Sequence, residues 1–192
     1  MAAIQKAVTL SPNDADLHLN LGIILRDLGR LNEAMTSYKE AIAIKPNNAE
    51  AYNNLGNTFE ELGELDNAEA SYREAIALKS DFAEAHNNLG VTLEKLGRLG
   101  DAKSNYRQAI LLNPNYAEAY NNLGNTLEEL GELDNAEASY RQAILLNPNY
   151  ENAHSNLGNI LRANKKYEEA IYHFDFLKKD FAIALSLECL YI

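Results

Sequence analysis

Five asparagines, Asn20, Asn54, Asn88, Asn122 and Asn156, each stand one residue ahead of a Leu-Gly pair. A primary amide carries donors and an acceptor, so a row of them can pair with the N–H and C=O of a peptide backbone whatever its side chains. Asparagine is also a middling-to-poor helix former that competes with the backbone for hydrogen bonds. Five in register therefore need a reason. One reason is a ligand; the other is that each amide bonds its own repeat's backbone or the next helix. The residues alone leave both open. A second row comprises Asn53, Asn87 and Asn121 beside the ladder, with Asn57, Asn125 and Asn159 about one helical turn further on. Carboxylates frame it: Glu50, Glu84 and Glu118 at one end, Glu60, Glu94 and Glu128 at the other. Arg26 and Arg162 take the glutamate position in the outer copies, so the acidic stripe belongs to the middle ones. An acidic row of this kind predicts an extended ligand bearing Lys or Arg, bound faster at low salt.

Other chemistry finds no support in the pattern. His18, His86 and His154 share the position of Tyr52 and Tyr120, which marks them as packing variants of a half-buried ring, and His173 reads as a solitary residue. They are spaced too far apart to converge on a metal. The glutamates fall on helix faces without a nucleophile or an enclosed pocket, and the glycines never cluster into a phosphate loop. The expectation is a chain with no catalytic residues, no cofactor and no metal.

The elements that position these residues repeat. Leu21-Gly22, Leu55-Gly56, Leu89-Gly90, Leu123-Gly124 and Leu157-Gly158 step by 34 residues. Within Ala117 to Tyr150, the apolar residues Ala119, Tyr120, Leu123, Leu127 and Leu130 recur at three and four, predicting one helix. Leu133, Ala136, Tyr140, Ala143 and Ile144 predict a second. Gly131 supplies a left-handed residue between them, and Asn147-Pro148 stops the second helix. Asn149 is the expected N-cap of the helix that follows. Gly124 and Ala136 are small so that the two helices can approach, with Tyr140 filling the space beside them.

This unit, with Tyr120-x2-Leu123-Gly124 in its first half and Ala136-x3-Tyr140 and Pro148 in its second, resembles the tetratricopeptide repeat almost place for place. Leu127 stands where an aromatic is usual in the family. The resemblance implies an all-α fold: a right-handed α-solenoid of antiparallel helix pairs forming one continuous core over residues 1–192. Full repeats are expected at 15–48, 49–82, 83–116, 117–150 and 151–181. Residues 1–14 match a second helix cut from its partner, and 182–192 a first helix or cap. In such arrays the first helices line an inner groove, so the family implies protein–protein interaction through an extended segment. The Asn row is similar to the ladder in the superhelix of O-linked N-acetylglucosamine transferases. The carboxylate clamp that other members use for chaperone C-termini needs Lys and Arg where this chain has Leu19, Asn53, Asn87, Asn121 and Ser155, so that ligand is not expected.

Composition narrows the partners. A formal net charge of -11 disfavours nucleic acid and anionic membranes. A single cysteine, Cys189, excludes an internal disulfide framework and a Cys-rich zinc site. No stretch approaches the roughly 20 apolar residues of a membrane span, and no signal peptide opens the chain. A soluble cytoplasmic scaffold is the expectation. Two further readings stand beside it. Long arrays in the family precede transferase domains, so the chain could be the recognition arm of a larger enzyme. The half repeats at either end are complementary, so Ile4, Val8, Leu187 and Leu190 could join copies head to tail into open filaments.

Overall fold

The computed structural model describes residues 2–177, and every regular element among them is helical. They fall into two compact units, one ending at Leu112 and the other starting at Asn113. The first unit holds α1 (Ala2–Leu10), α2 (Ala15–Asp27), α3 (Leu31–Ile44), α4 (Ala49–Glu61), α5 (Leu65–Leu78), α6 (Ala83–Lys95) and α7 (Leu99–Leu112). The second holds α8 (Ala117–Glu129), α9 (Leu133–Leu146), α10 (Glu151–Ala163) and α11 (167–177). Tightly packed antiparallel pairs are α2 with α3, α4 with α5, α6 with α7, and α8 with α9. Successive pairs then join through second-to-first helix contacts, α3 to α4 and α5 to α6 in the first unit, α9 to α10 in the second.

Each first helix ends in the same way. Beyond α4, Gly63 has φ +77°, its N–H donates to Glu60 O at 3.0 Å, and the Glu64 N–H donates to Phe59 O at 2.8 Å. This is the Schellman arrangement, which satisfies two orphan carbonyls and needs a left-handed residue. Glycine fills that position three more times, and in the last pair Lys165 adopts φ 60° instead. The helix starts vary more. Asp14 caps α2 by accepting from the Asp16 and Leu17 N–H groups, and Asn48 caps α4 by accepting from Ala51. Asn149 does not cap α10. Tyr150 occupies that position without a side-chain bond, while the Asn147 side chain accepts from the Asn149 N–H and closes the turn from the other side.

The core of each hairpin is a tyrosine ring laid on a glycine. Tyr38, Tyr72, Tyr106 and Tyr140 are buried, and a Cβ added to Gly56 would meet a Tyr72 ring carbon at 2.6 Å. Ala68 and Ala75, also fully buried, flank that ring on α5. In the last pair Phe174 takes the ring's place against Gly158. The terminal segment 182–192, with Cys189, Leu187 and Leu190, lies outside the described residues.

A non-glycine residue in the left-handed region costs about 1–2 kcal/mol. Lys165→Gly is therefore expected to stabilise the second unit by about 1 kcal/mol, read as a higher urea midpoint with unchanged slope; an unchanged or lower midpoint contradicts this account of the α10 terminus.

Candidate functional site

The asparagine rows come together as a cross-repeat lattice. In the first unit, Asn88 of α6 donates through Nδ2 to Asn53 Oδ1 at 3.3 Å and to Asn57 Oδ1 at 3.0 Å, both on α4. Asn53, 1% exposed, donates in turn to Glu84 Oε1 at 3.2 Å. The second unit repeats the motif: Asn156 of α10 donates to Asn121 Oδ1 at 3.2 Å and to Asn125 Oδ1 at 2.9 Å on α8. Both amide protons of Asn88 and Asn156 are thus spent on the preceding first helix, while their Oδ1 atoms accept nothing among the described residues. Asn87 is buried, Asn122 is half-buried and engaged, Asn20 and Asn159 are exposed. Asn54, half-buried, makes no side-chain hydrogen bond among the described residues, because α2 offers Leu19 and Ile23 where α4 offers Asn53 and Asn57.

The acidic row is engaged from behind. The buried Tyr72 hydroxyl shares its proton between Asn57 Oδ1 at 2.8 Å and Glu60 Oε2 at 3.2 Å. The other Glu60 oxygen holds Lys95 Nζ at 2.6 Å. Tyr140 repeats this with Asn125 at 2.9 Å and Glu128 at 3.0 Å, and Tyr106 donates to Glu94 at 3.2 Å. Burial first, then the Glu60 charge, pushes the Tyr72 hydroxyl far above its ordinary pKa, so it remains a donor at any physiological pH. Sequence reasoning placed these glutamates but missed the hydroxyls behind them. The signal was present as a fixed offset, Tyr twelve residues after Glu, with Phe174 following Arg162 where the acceptor is absent.

The first hairpin breaks the rule. Ile23 and Arg26 replace the Asn57 and Glu60 acceptors, yet Tyr38 keeps its hydroxyl. That hydroxyl is buried without a hydrogen-bond partner, and burial pushes its pKa up to about 12.

His173 is not solitary. Its Nδ1 lies 2.9 Å from Nδ1 of His154, and both rings are buried. His154 Nε2 is 3.0 Å from the Pro148 carbonyl, which fixes the proton there, so His154 Nδ1 accepts and His173 Nδ1–H donates. Phe176 stacks on His154 with centroids 4.0 Å apart. Burial, the neighbouring His154 and the Arg141 charge all lower the His173 pKa, with Glu169 opposing. Around the pair, Arg141 of α9 bonds Glu137 at 2.9 Å and Glu169 at 2.6 Å, and Lys166 bonds Glu137 at 3.0 Å. The His18 Nε2 likewise meets the Pro12 carbonyl at 2.9 Å, and His86 Nδ1 meets Asn105 Oδ1 at 3.1 Å. Among the described residues no three His, Cys, Asp or Glu side chains converge to hold a metal, and no helix is long and apolar enough to cross a membrane.

Helix pairs of constant length, joined by tyrosine–glycine contacts and cross-repeat amide bonds, define an α-helical repeat scaffold. Family models agree. The model described as TPR repeat matches residues 22–63, 56–97 and 95–131, and models described as tetratricopeptide repeat match 117–150, 3–36 and 139–172. The chain belongs to the tetratricopeptide repeat family, whose solenoid fold typically serves protein–protein interaction. Among solved structures it is similar to MamA, at 29% identity over 85% of this chain and 96% of that one, with a TM-score of 0.76. It is also similar to TTC0263, a thermophilic TPR protein of Thermus thermophilus, at 26% identity, 93% and 97% coverage and a TM-score of 0.71. YrrB, described as a TPR protein with an unusual peptide-binding site, shares the fold at 24% identity, 97% coverage of both chains and a TM-score of 0.73. No curated protein sequence matches the chain.

Two outcomes follow from this geometry. Tyr72→Phe, which leaves Asn57 and Glu60 without their donor, is expected to cost about 1–2 kcal/mol in urea unfolding, whereas Tyr38→Phe removes an unpaired buried donor and should cost nothing or stabilise. Equal costs would refute the assignment. A histidine kept neutral by the fold binds fewer protons than the unfolded chain, so stability present above about pH 6.5 is lost as pH falls through and below that value. Thermal melts of the whole chain at stepped pH should show this loss, and His173→Gln should flatten it; an unaltered profile in the variant excludes His173 as its source.

Proposed function

We propose that the chain is a non-catalytic interaction scaffold that holds an extended segment of a partner protein along its first-helix face. The observation that carries this reading is the locked orientation of Asn88 and Asn156. Each spends both amide protons on the preceding first helix, yet keeps an unspent Oδ1. A side chain held this way presents its acceptor without losing rotamer entropy on binding, which favours a backbone N–H of an extended ligand. The stacking and ligand roles of the ladder are therefore compatible: donors face the array, acceptors face the partner.

Charge preference follows the same division. In the first unit Glu60 is neutralised by Lys95, so it offers little to a basic ligand. In the second, Glu128 is exposed and among the described residues accepts from Tyr140 alone, leaving a carboxylate oxygen for a Lys or Arg of the bound segment. Binding through such exposed charges should weaken with salt.

The test is capture of partner proteins from a lysate by the chain and by its Asn54/Asn88/Asn122→Ala variant, at low and high salt, with helicity and melting measured in parallel. Capture should vanish in the variant while helical content persists. Equal capture by both proteins would mean that the amides serve stacking alone and that the reading is wrong.

A further inference from the structure

A cleft of about 500 Å³ opens in the first unit between Ile23 and Arg26 of α2, Asn53 and Asn54 of α4, and Lys79 and Phe82 ahead of α6. Its α2 wall differs in kind from the equivalent wall of the next repeat. There, α4 presents three acceptors, Asn53, Asn57 and Glu60, to two donors, Asn88 Nδ2 and the Tyr72 hydroxyl. On α2 all three acceptor positions have changed, to Leu19, Ile23 and Arg26, while both donors are retained as Asn54 and Tyr38. The result is a surplus of donors. The Tyr38 hydroxyl and Arg26 Nη1 are both buried without a partner. Tyr38 itself is 0% exposed, its ring against Gly22, one helical turn before Arg26. The nearest carboxylate to Arg26 is Glu61, at 3.7 Å from Nε, too long for a good charge-assisted bond. The Asn54 amide is uncommitted, and Lys79 Nζ lies 4.7 Å from the centre of the Phe82 ring.

Of the two buried donors only Arg26 lines the cleft, so its unpaired Nη1 is the one that marks a missing acceptor there. We propose that this cleft is a carboxylate subsite, taking the side chain of one Asp or Glu of the bound segment against Arg26, Asn54 and Lys79. It rests on the reading that a segment lies along the first helices, and it gives that segment an acidic residue at the first unit. A backbone carbonyl would satisfy the amide alone, whereas a carboxylate also pairs with the guanidinium, whose contact with Glu61 is long. Glu50 and Glu84 also line the cleft. They limit it to a single carboxylate and disfavour polyanions. The cations stand outside the register of Leu19, Asn53 and Asn87, so the arrangement is not the clamp for chaperone tails.

The probe is a capped pentapeptide, Gly-Ala-Asp-Ala-Gly, titrated into the whole chain while the Arg26 Nε–Hε and Asn54 side-chain resonances are followed by NMR. The Asn counterpart of the peptide and inorganic phosphate serve as comparisons. The Asp peptide should shift both resonances saturably, about tenfold more tightly than the Asn peptide, with phosphate producing no saturable shift. Arg26→Glu restores the acceptor found at Glu60, and should abolish the Asp response while raising the melting temperature. Arg26→Gln, which keeps a hydrogen-bonding group without the charge, should remove only the preference for Asp over Asn. Equal affinity of the two peptides would show a carbonyl site, saturable phosphate binding would show unselective attraction to charge, and an unchanged titration in both variants would place binding elsewhere. Each overturns the proposal. Partner capture that survives in Arg26→Glu alongside any of these results leaves the scaffold reading standing and removes the subsite alone. An Asp-peptide response without any partner capture does the reverse.

Discussion

The contact of a tyrosine ring with a glycine backbone is what the rest of each hairpin depends on. Gly56 lets Tyr72 lie where any Cβ would collide, which brings α4 and α5 to their packing distance and buries the ring. The consequence reaches the surface. A ring placed that deeply delivers its hydroxyl to Asn57 and Glu60 on the far side of α4. Asn57 Oδ1 then accepts both from Tyr72 and from Asn88 of the next pair, filling its two lone pairs. One steric allowance in the core therefore orients an amide of the first-helix row and the carboxylate beside it.

The acidity of the chain divides between structural and exposed roles. Glu69, on α5, is 8% exposed and holds Arg73 at 2.6 Å and Arg98 at 2.7 Å, the latter from the following hairpin. Glu137 does the same with Arg141 and Lys166; burial alone would raise its pKa, but the hydrogen bonds from the two cations outweigh it and lower it. Ion pairs whose carboxylate is covered, though the cation stays exposed, lose somewhat less to solvent screening than fully exposed pairs. Net charge is thus a poor guide to what a groove offers: Glu60 looks free in the sequence and is fully occupied in the fold.

Where the first and last repeats depart from the pattern, the departures are correlated. Arg162 at the glutamate position coincides with Phe174 at the tyrosine position, so no donor is orphaned. Arg26 coincides with an unaltered Tyr38, and a buried hydroxyl is left without an acceptor. The two ends have solved the same substitution differently, and only one of them is left with unmet hydrogen-bonding demand. In the last repeat His173 and Phe176 close over His154 instead, burying a polar contact whose counterpart between His86 and Asn105 is only partly covered.

The sequence by itself determined the class of fold, the helix pairing and the register of the asparagine and glutamate rows. Those depend on a 3.6-residue period, on glycine at left-handed positions and on proline stops, all local properties that recur from repeat to repeat. Even so, the cap before α10 was misassigned, because Asn147 and Asn149 offer the same side chain and turn geometry decides which one bonds. What the tertiary structure alone decided is how each polar group is spent. Asn88 meets Asn53 and Asn57 across 35 and 31 residues of chain, and His173 meets His154 across 19. Whether an amide or a carboxylate faces a neighbour or a ligand depends on which side chain the adjoining helix brings within about 3 Å, a distance that periodicity in one helix does not contain.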